Sequence, residues 1–226
     1  MYELFIANKN YSSWSLRPWV LMRQLEISFE EQLVTFEEGG SWEKFRSFSP
    51  NGQVPCLIDG DTTVWDSLAI AEYLAERFPQ VWPENREARA WARCAAAEMH
   101  SGFSALRNIC TMNCGVKVEL AKIPRNLQRE IDRIDELWCL GLQRFGGPFL
   151  AGGEFTAVDA FFAPVAIRAK NYGLPLSESA RAYVEQLLEL SPMQEWIADA
   201  LREPWREPGH EEELKSAGAI VEDLRQ

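Results

Sequence analysis

A chain of 226 residues, 46% hydrophobic and 25% charged, is long enough to bury its own core as one or two domains. A formal net charge of -11 argues against a nucleic-acid partner and an anionic membrane surface, since both are held by clustered Lys and Arg. The first residues, Met1-Tyr2-Glu3-Leu4-Phe5-Ile6-Ala7, lack the charged start and the apolar length of a secretory signal. No apolar run reaches the roughly 18 residues of a membrane span. Five cysteines (Cys56, Cys94, Cys110, Cys114, Cys139) show no metal-ligand spacing. They read as free, buried thiols, so no metal is expected and a reducing cytoplasmic setting is.

In chain order, residues 2–7 read as a buried strand, followed by the polar stretch 8–15 and a helix over 16–25 that tolerates Pro18 in its first turn. A strand is expected over 29–34 and a short helical turn over 42–48. The apolar runs 54–58 and 62–65 flank Asp59-Gly60, a hairpin signal. A helix over 67–78 closes the unit, with Ile70, Leu74 and Phe78 on one face. The order βαβ, turn, ββα suits a small mixed sheet covered by helices. Residues 79–83 make a proline-bounded linker, and everything after it reads as helical: 88–114, 124–145, 156–171, about 178–190 and 192–202. The tail from Glu203, rich in proline and charge, is expected to be loosely held, with His210 solvated.

Four local patterns stand out along this order. Ser49-Pro50-Asn51-Gly52-Gln53-Val54-Pro55 enters the third strand; Asp66-Ser67 opens the helix after the hairpin, with Ser67 a good N-cap type. Ser12-Ser13-Trp14-Ser15-Leu16-Arg17 spans the first strand-to-helix junction, and Thr156-Ala157-Val158-Asp159 reads as a capping box. Together, over nearly the whole chain to about residue 202, they resemble the glutathione transferase superfamily. The resemblance implies a thioredoxin-like N-terminal domain (1–79) followed by an all-helical C-terminal domain (84–226), hence an α/β plus all-α fold.

It also implies roles. Pro55 would be cis, turning the Val54 N–H and C=O outward to pair with an extended peptide, the cysteinyl unit of glutathione; Gln53 is a neighbouring contact, with Trp42 and Lys44 as weaker ones. Asp66 and Ser67 would hold the γ-glutamyl end, its amino group and carboxylate respectively. The serine-rich junction is similar to the motif of zeta-like, serine-type transferases, in which the first serine donates to the sulfur. That role falls on Ser12, with Ser13 a close competitor and Tyr11 a third possibility. Trp14 stands where zeta proteins carry Cys and Pro18 where they carry an aliphatic residue; both departures weigh against a zeta isomerase activity.

The chemistry is affordable on simple numbers. A free thiol of pKa about 8.5 is roughly 3% ionised at neutral pH, and lowering it by about 2 units needs on the order of 2.7 kcal/mol. One hydrogen bond to a charged acceptor supplies about 1.5–3 kcal/mol. The expected function is therefore a transferase conjugating glutathione, as co-substrate, to small apolar electrophiles in detoxification. The alternatives are a glutathione-dependent isomerase of the maleylacetoacetate type, for which Arg17, Arg107 or Arg168 would meet a dianion, and a non-catalytic binding or regulatory protein on the same fold. His100, Met99, Phe103, Arg107 and Met112 border the expected acceptor pocket, His100 more as a structural residue than a catalytic one. A two-fold homodimer is implied as well.

Overall fold

The computed structural model describes residues 1–226. Strand β1 (Tyr2–Ile6) is the expected strand, and it buries alternate residues, Tyr2, Leu4 and Ile6. Helix α1 (Ser13–Gln24) carries the chain over to β2 (Phe29–Leu33), which lies parallel to β1. After the single-turn helix α2 (Trp42–Arg46) come β3 (Cys56–Asp59), antiparallel to β1, and β4 (Thr62–Trp65), paired to β3 across Gly60-Asp61. The sheet order is β2-β1-β3-β4, with α1 and α3 (Ser67–Ala75) packed together against it. This is the small mixed sheet that the order of elements anticipates, and the thioredoxin-like unit that the resemblance implies.

The second part is built round α7 (Ala157–Asn171), which is apolar on every side and buried at every residue except Lys170. Such a helix can only be central. Its entry is the expected capping box: Asp159 accepts from Thr156 N and Leu150 N, both at 3.0 Å, and from Tyr183 Oη at 2.8 Å. Against it pack α4 (Arg86–Ser101) and α8 (Glu178–Glu189), while α6 (Arg125–Phe145) sets Trp138 edge-on to its Phe162 and α9 (Ser191–Arg202) packs on α1 and α8. Helix α7 also packs against α1, and so joins the two parts.

Five sequence expectations are corrected. Residues 88–114 are not one helix: α4 stops at Ser101, Phe103 turns left-handed (φ 56°), and α5 (Ser104–Ile109) starts anew. A Cβ on Gly102 would lie 2.8 Å from the Glu98 carbonyl, so only glycine fits that stop. The new helix is capped from a distance, by the Glu130 carboxylate accepting from Ala105 N and Leu106 N. Second, this half is not wholly helical: β5 (Val116–Leu120) and β6 (Gly218–Asp223) form an antiparallel ribbon. Buried Val116 and Val118 give β5 a two-residue period that favours a strand. Third, the tail is held. Helix α10 (Pro208–Ala217) and β6 are pinned where the Arg225 guanidinium meets Glu211 and Asp223. Buried Glu203 accepts from Lys9 N at 2.6 Å and Asn10 N at 3.2 Å. Fourth, α1 begins three residues earlier than expected, which puts Pro18 inside it, where the Trp14 carbonyl loses its usual N–H donor. The cysteines are all free, but only Cys56, Cys110 and Cys114 are buried; Cys94 is exposed and Cys139 half-buried. No helix is long and apolar enough to cross a membrane.

Candidate functional site

The C-terminal end of β1 leads into a loop that is fixed from both sides. Lys9 is buried between the rings of Trp19 and Trp196, with Asp199 at 2.7 Å and Glu31 at 2.9 Å, while Glu203 holds its backbone N–H. This anchoring sets the start of α1, and with it Ser12 and Ser13, against the helical half.

Ser12, Ser13, Gln53, Val54, Pro55, Asp66 and Ser67 all line one cleft of 770 Å³ between the two parts. The two serines differ in what they can do. Ser12 Oγ donates to Ser15 Oγ at 2.7 Å, and Ser15 Oγ also accepts from Ala7 N at 3.2 Å, so the Ser12 proton is turned inward. Ser13, the first residue of α1, has no side-chain partner within the chain and keeps its proton for the cleft. Tyr11 donates its hydroxyl to Glu211 at 2.7 Å. Burial, reinforced by that hydrogen bond and the Glu211 charge, pushes the phenol up to about 12.

The Val54–Pro55 peptide is cis, and neither the N–H nor the C=O of Val54 pairs within the chain. Gly52, in the turn before it, lies under the Trp42 ring: an added Cβ would approach the ring to 2.5 Å. Lys44 does not line the cleft; it donates to the Thr35 carbonyl at 3.2 Å and pairs with Glu37.

Asp66, not Ser67, is the N-cap of α3, and it sits at φ 76°, a conformation costly for a residue with a side chain. Its Oδ1 accepts from Leu68 N at 2.8 Å and Ala69 N at 3.3 Å, while Oδ2 lies 3.3 Å from His100 Nε2 on α4. Burial holds the His100 pKa below its usual value; Asp66 opposes this, and the charges of Arg17 and Arg107 add to it. Ser67 is buried and accepts from Arg17 Nη1 at 3.4 Å, which leaves its own proton free to donate.

The helical side supplies Arg107, Asn108, Thr111, Met112 and Arg168 to the cleft, whereas Met99 and Phe103 are core residues outside its lining. The tail supplies Glu207, His210 and Glu213. His210 is not solvated as expected: its ring stacks 4.9 Å from Tyr11 and 5.3 Å from Phe36, with Nδ1 2.6 Å from Glu207. No motif in the tail announces this; it follows from the β5–β6 pairing, which joins segments about a hundred residues apart. No group of three or more His, Cys, Asp and Glu side chains converges as a metal site would require.

Two family models match. Residues 11–77 match the glutathione S-transferase N-terminal domain, and residues 75–206 the C-terminal domain. Among curated relatives, glutathione S-transferase 1 of Dianthus caryophyllus is 26% identical over 185 residues, covering 78% of this chain and 81% of that one. Maleylacetoacetate isomerase of Rattus norvegicus is 26% identical over 180 residues, covering 77% and 81%. Among solved structures, a glutathione transferase homologue from Burkholderia GL BGR1 with bound glutathione superposes with a TM-score of 0.67 at 23% identity, over 88% of this chain and 97% of that one.

Proposed function

Because the chain belongs to the glutathione S-transferase family, we propose that it binds glutathione in this cleft, ionises the thiol and transfers it to a small electrophile. The observation that carries the reading is the convergence of three features on one cleft: the unpaired Val54 backbone, the free Ser13 hydroxyl and the Asp66-Ser67 corner at the start of α3. The cysteinyl unit runs extended beside Val54 and pairs with it as an added strand. The Ser67 hydroxyl and the start of α3 receive the γ-glutamyl carboxylate, and Asp66 Oδ2 its ammonium group. Ser13 then faces the sulfur. Its hydroxyl donates to the thiolate, the thiol proton leaves to solvent, and no protein base is required. The thiolate forms a bond to the electrophilic carbon, and a leaving group departs with its bonding pair.

The isomerase reading shares the first step, thiolate addition, and has the rat relative's name in its favour. It differs in that glutathione is released again unchanged. The division near residues 79–84 into glutathione-binding and acceptor-binding parts, a two-fold dimer and a cytoplasmic setting belong to the same reading. The test is retention on immobilised glutathione together with turnover of a neutral chloronitrobenzene. Conjugation consumes one glutathione per chloride released. Retention without turnover favours a binding protein, and turnover of an unsaturated ketoacid without glutathione consumption favours the isomerase.

A further inference from the structure

The Asp66 carboxylate is only half fixed by the helix it caps. Its residue sits left-handed at φ 76°, and Oδ1 accepts from Leu68 N at 2.8 Å and Ala69 N at 3.3 Å. Those bonds pin Oδ1 and leave Oδ2 free to swing about it. His100, one residue before the end of α4, meets Oδ2 from the helical half, with Nε2 at 3.3 Å. The imidazole is itself wedged between elements: its ring is edge-on to Trp14 of α1 at 5.3 Å and lies 6.2 Å from Phe161 of α7. Asp66 lines the cleft and His100 does not. The imidazole therefore acts on the carboxylate and not on what fills the cavity.

The ring proton has one good place. Nδ1 is buried with no partner, and a buried N–H without an acceptor is costly. Nε2 has a carboxylate oxygen in front of it, so the proton belongs there. A second proton would have to enter the same buried Nδ1. Burial already holds the His100 pKa below its usual value; Asp66 opposes this, and Arg17 and Arg107 add to it. The ring at neutral pH is thus the neutral Nε2–H form. A neutral donor orients a carboxylate without cancelling its charge, as an arginine or lysine in the same place would. A carboxylate oxygen has two lone pairs, so Oδ2 can accept from Nε2–H and from one donor more. We propose that His100 is a positioning residue for the γ-glutamyl end of the peptide: its Nε2–H holds Asp66 Oδ2 in place, with the second lone pair left for the ammonium group. The cleft then selects thiol peptides whose first residue carries a free α-amino group. The inference rests on the reading of the cleft as a glutathione site, and the experiment separates the two.

The probes are S-methylglutathione and its desamino analogue, in which hydrogen replaces the α-ammonium group. Neither can react, and both keep their two carboxylates. Each is titrated calorimetrically into the full-length protein. Wild type is expected to bind S-methylglutathione roughly tenfold or more tightly than the analogue, the fold-change of one charge-assisted hydrogen bond. His100→Phe keeps a ring against Trp14 and Phe161 and removes the Nε2–H. It should cut that ratio to about threefold or less, with the loss confined to S-methylglutathione. His100→Leu should do the same, and His100→Gln, which restores a neutral N–H donor, should recover part of the ratio. A purely structural role would weaken both peptides alike. A wild-type ratio that persists in His100→Phe and His100→Leu therefore overturns the proposal, as does an equal loss of both peptides. Equal binding of the two peptides by wild type also overturns it, because Asp66 then holds no ammonium group; the glutathione reading survives that result. If wild type binds neither peptide, the glutathione reading falls and this inference with it.

Discussion

Replacing Ser13 with alanine removes the one hydroxyl at the α1 start that has no partner within the chain. A hydrogen bond to a charged acceptor is worth about 1.5–3 kcal/mol, and a pKa unit is about 1.36 kcal/mol, so the bound thiol should titrate about 1–2 units higher in Ser13→Ala. Ser12→Ala is expected to shift it by less than about half a unit, because the Ser12 proton is held 2.7 Å from Ser15 Oγ. The assay is the ultraviolet absorbance of enzyme-bound thiolate followed against pH in the two variants and wild type. The ordering discriminates: a larger shift in Ser12→Ala, or none in either, refutes the assignment.

Three further outcomes follow from the same geometry. Tyr11→Phe should leave the thiolate titration within about 0.3 units of wild type, because the phenol already donates to Glu211, while melting falls by about 2–4 °C through loss of that tail contact. Glu130→Ala should destabilise the fold by about 1–2 kcal/mol in denaturant melts, because the two N–H groups at the start of α5 lose their acceptor. The Arg225 hydrogen bond holds the Asp223 carboxyl below its usual value, so its folded pKa is depressed. That contribution is present above the ordinary carboxylate pKa of about 3.9 and is lost as pH falls through the lower folded value. Acidification in that range should therefore speed amide exchange in β6 before it does so in β1.

The sheet half was legible because its signals are local. A short apolar run marks β1, Asp59-Gly60 marks the hairpin, and the serine junction, the Val54-Pro55 turn and Asp66-Ser67 sit at element ends whose order brings them together. The helical half was legible where an apolar-periodic run is bounded by proline or glycine, as in α6, or opens on a capping box, as at Thr156 and Asp159. Where the decisive partner is remote, the sequence is silent. Glu130 caps α5 from 25 residues away, and the partner of β5 is β6, at the far end of the chain. The difference between Ser12 and Ser13 likewise depends on where Ser15 points, which no motif states.

Thiol ionisation on binding is the centre of this account, and proton release measures it directly. Glutathione is titrated into the protein at pH 7 in weak buffer containing an indicator dye. If binding lowers the thiol pKa from about 8.5 to about 6.5, the ionised fraction rises from roughly 3% to roughly 76%, so about 0.7 proton should appear per glutathione bound. S-methylglutathione should bind and release none. Glutathione that binds with no more proton release than its methylated form, or that does not bind at all, contradicts the account.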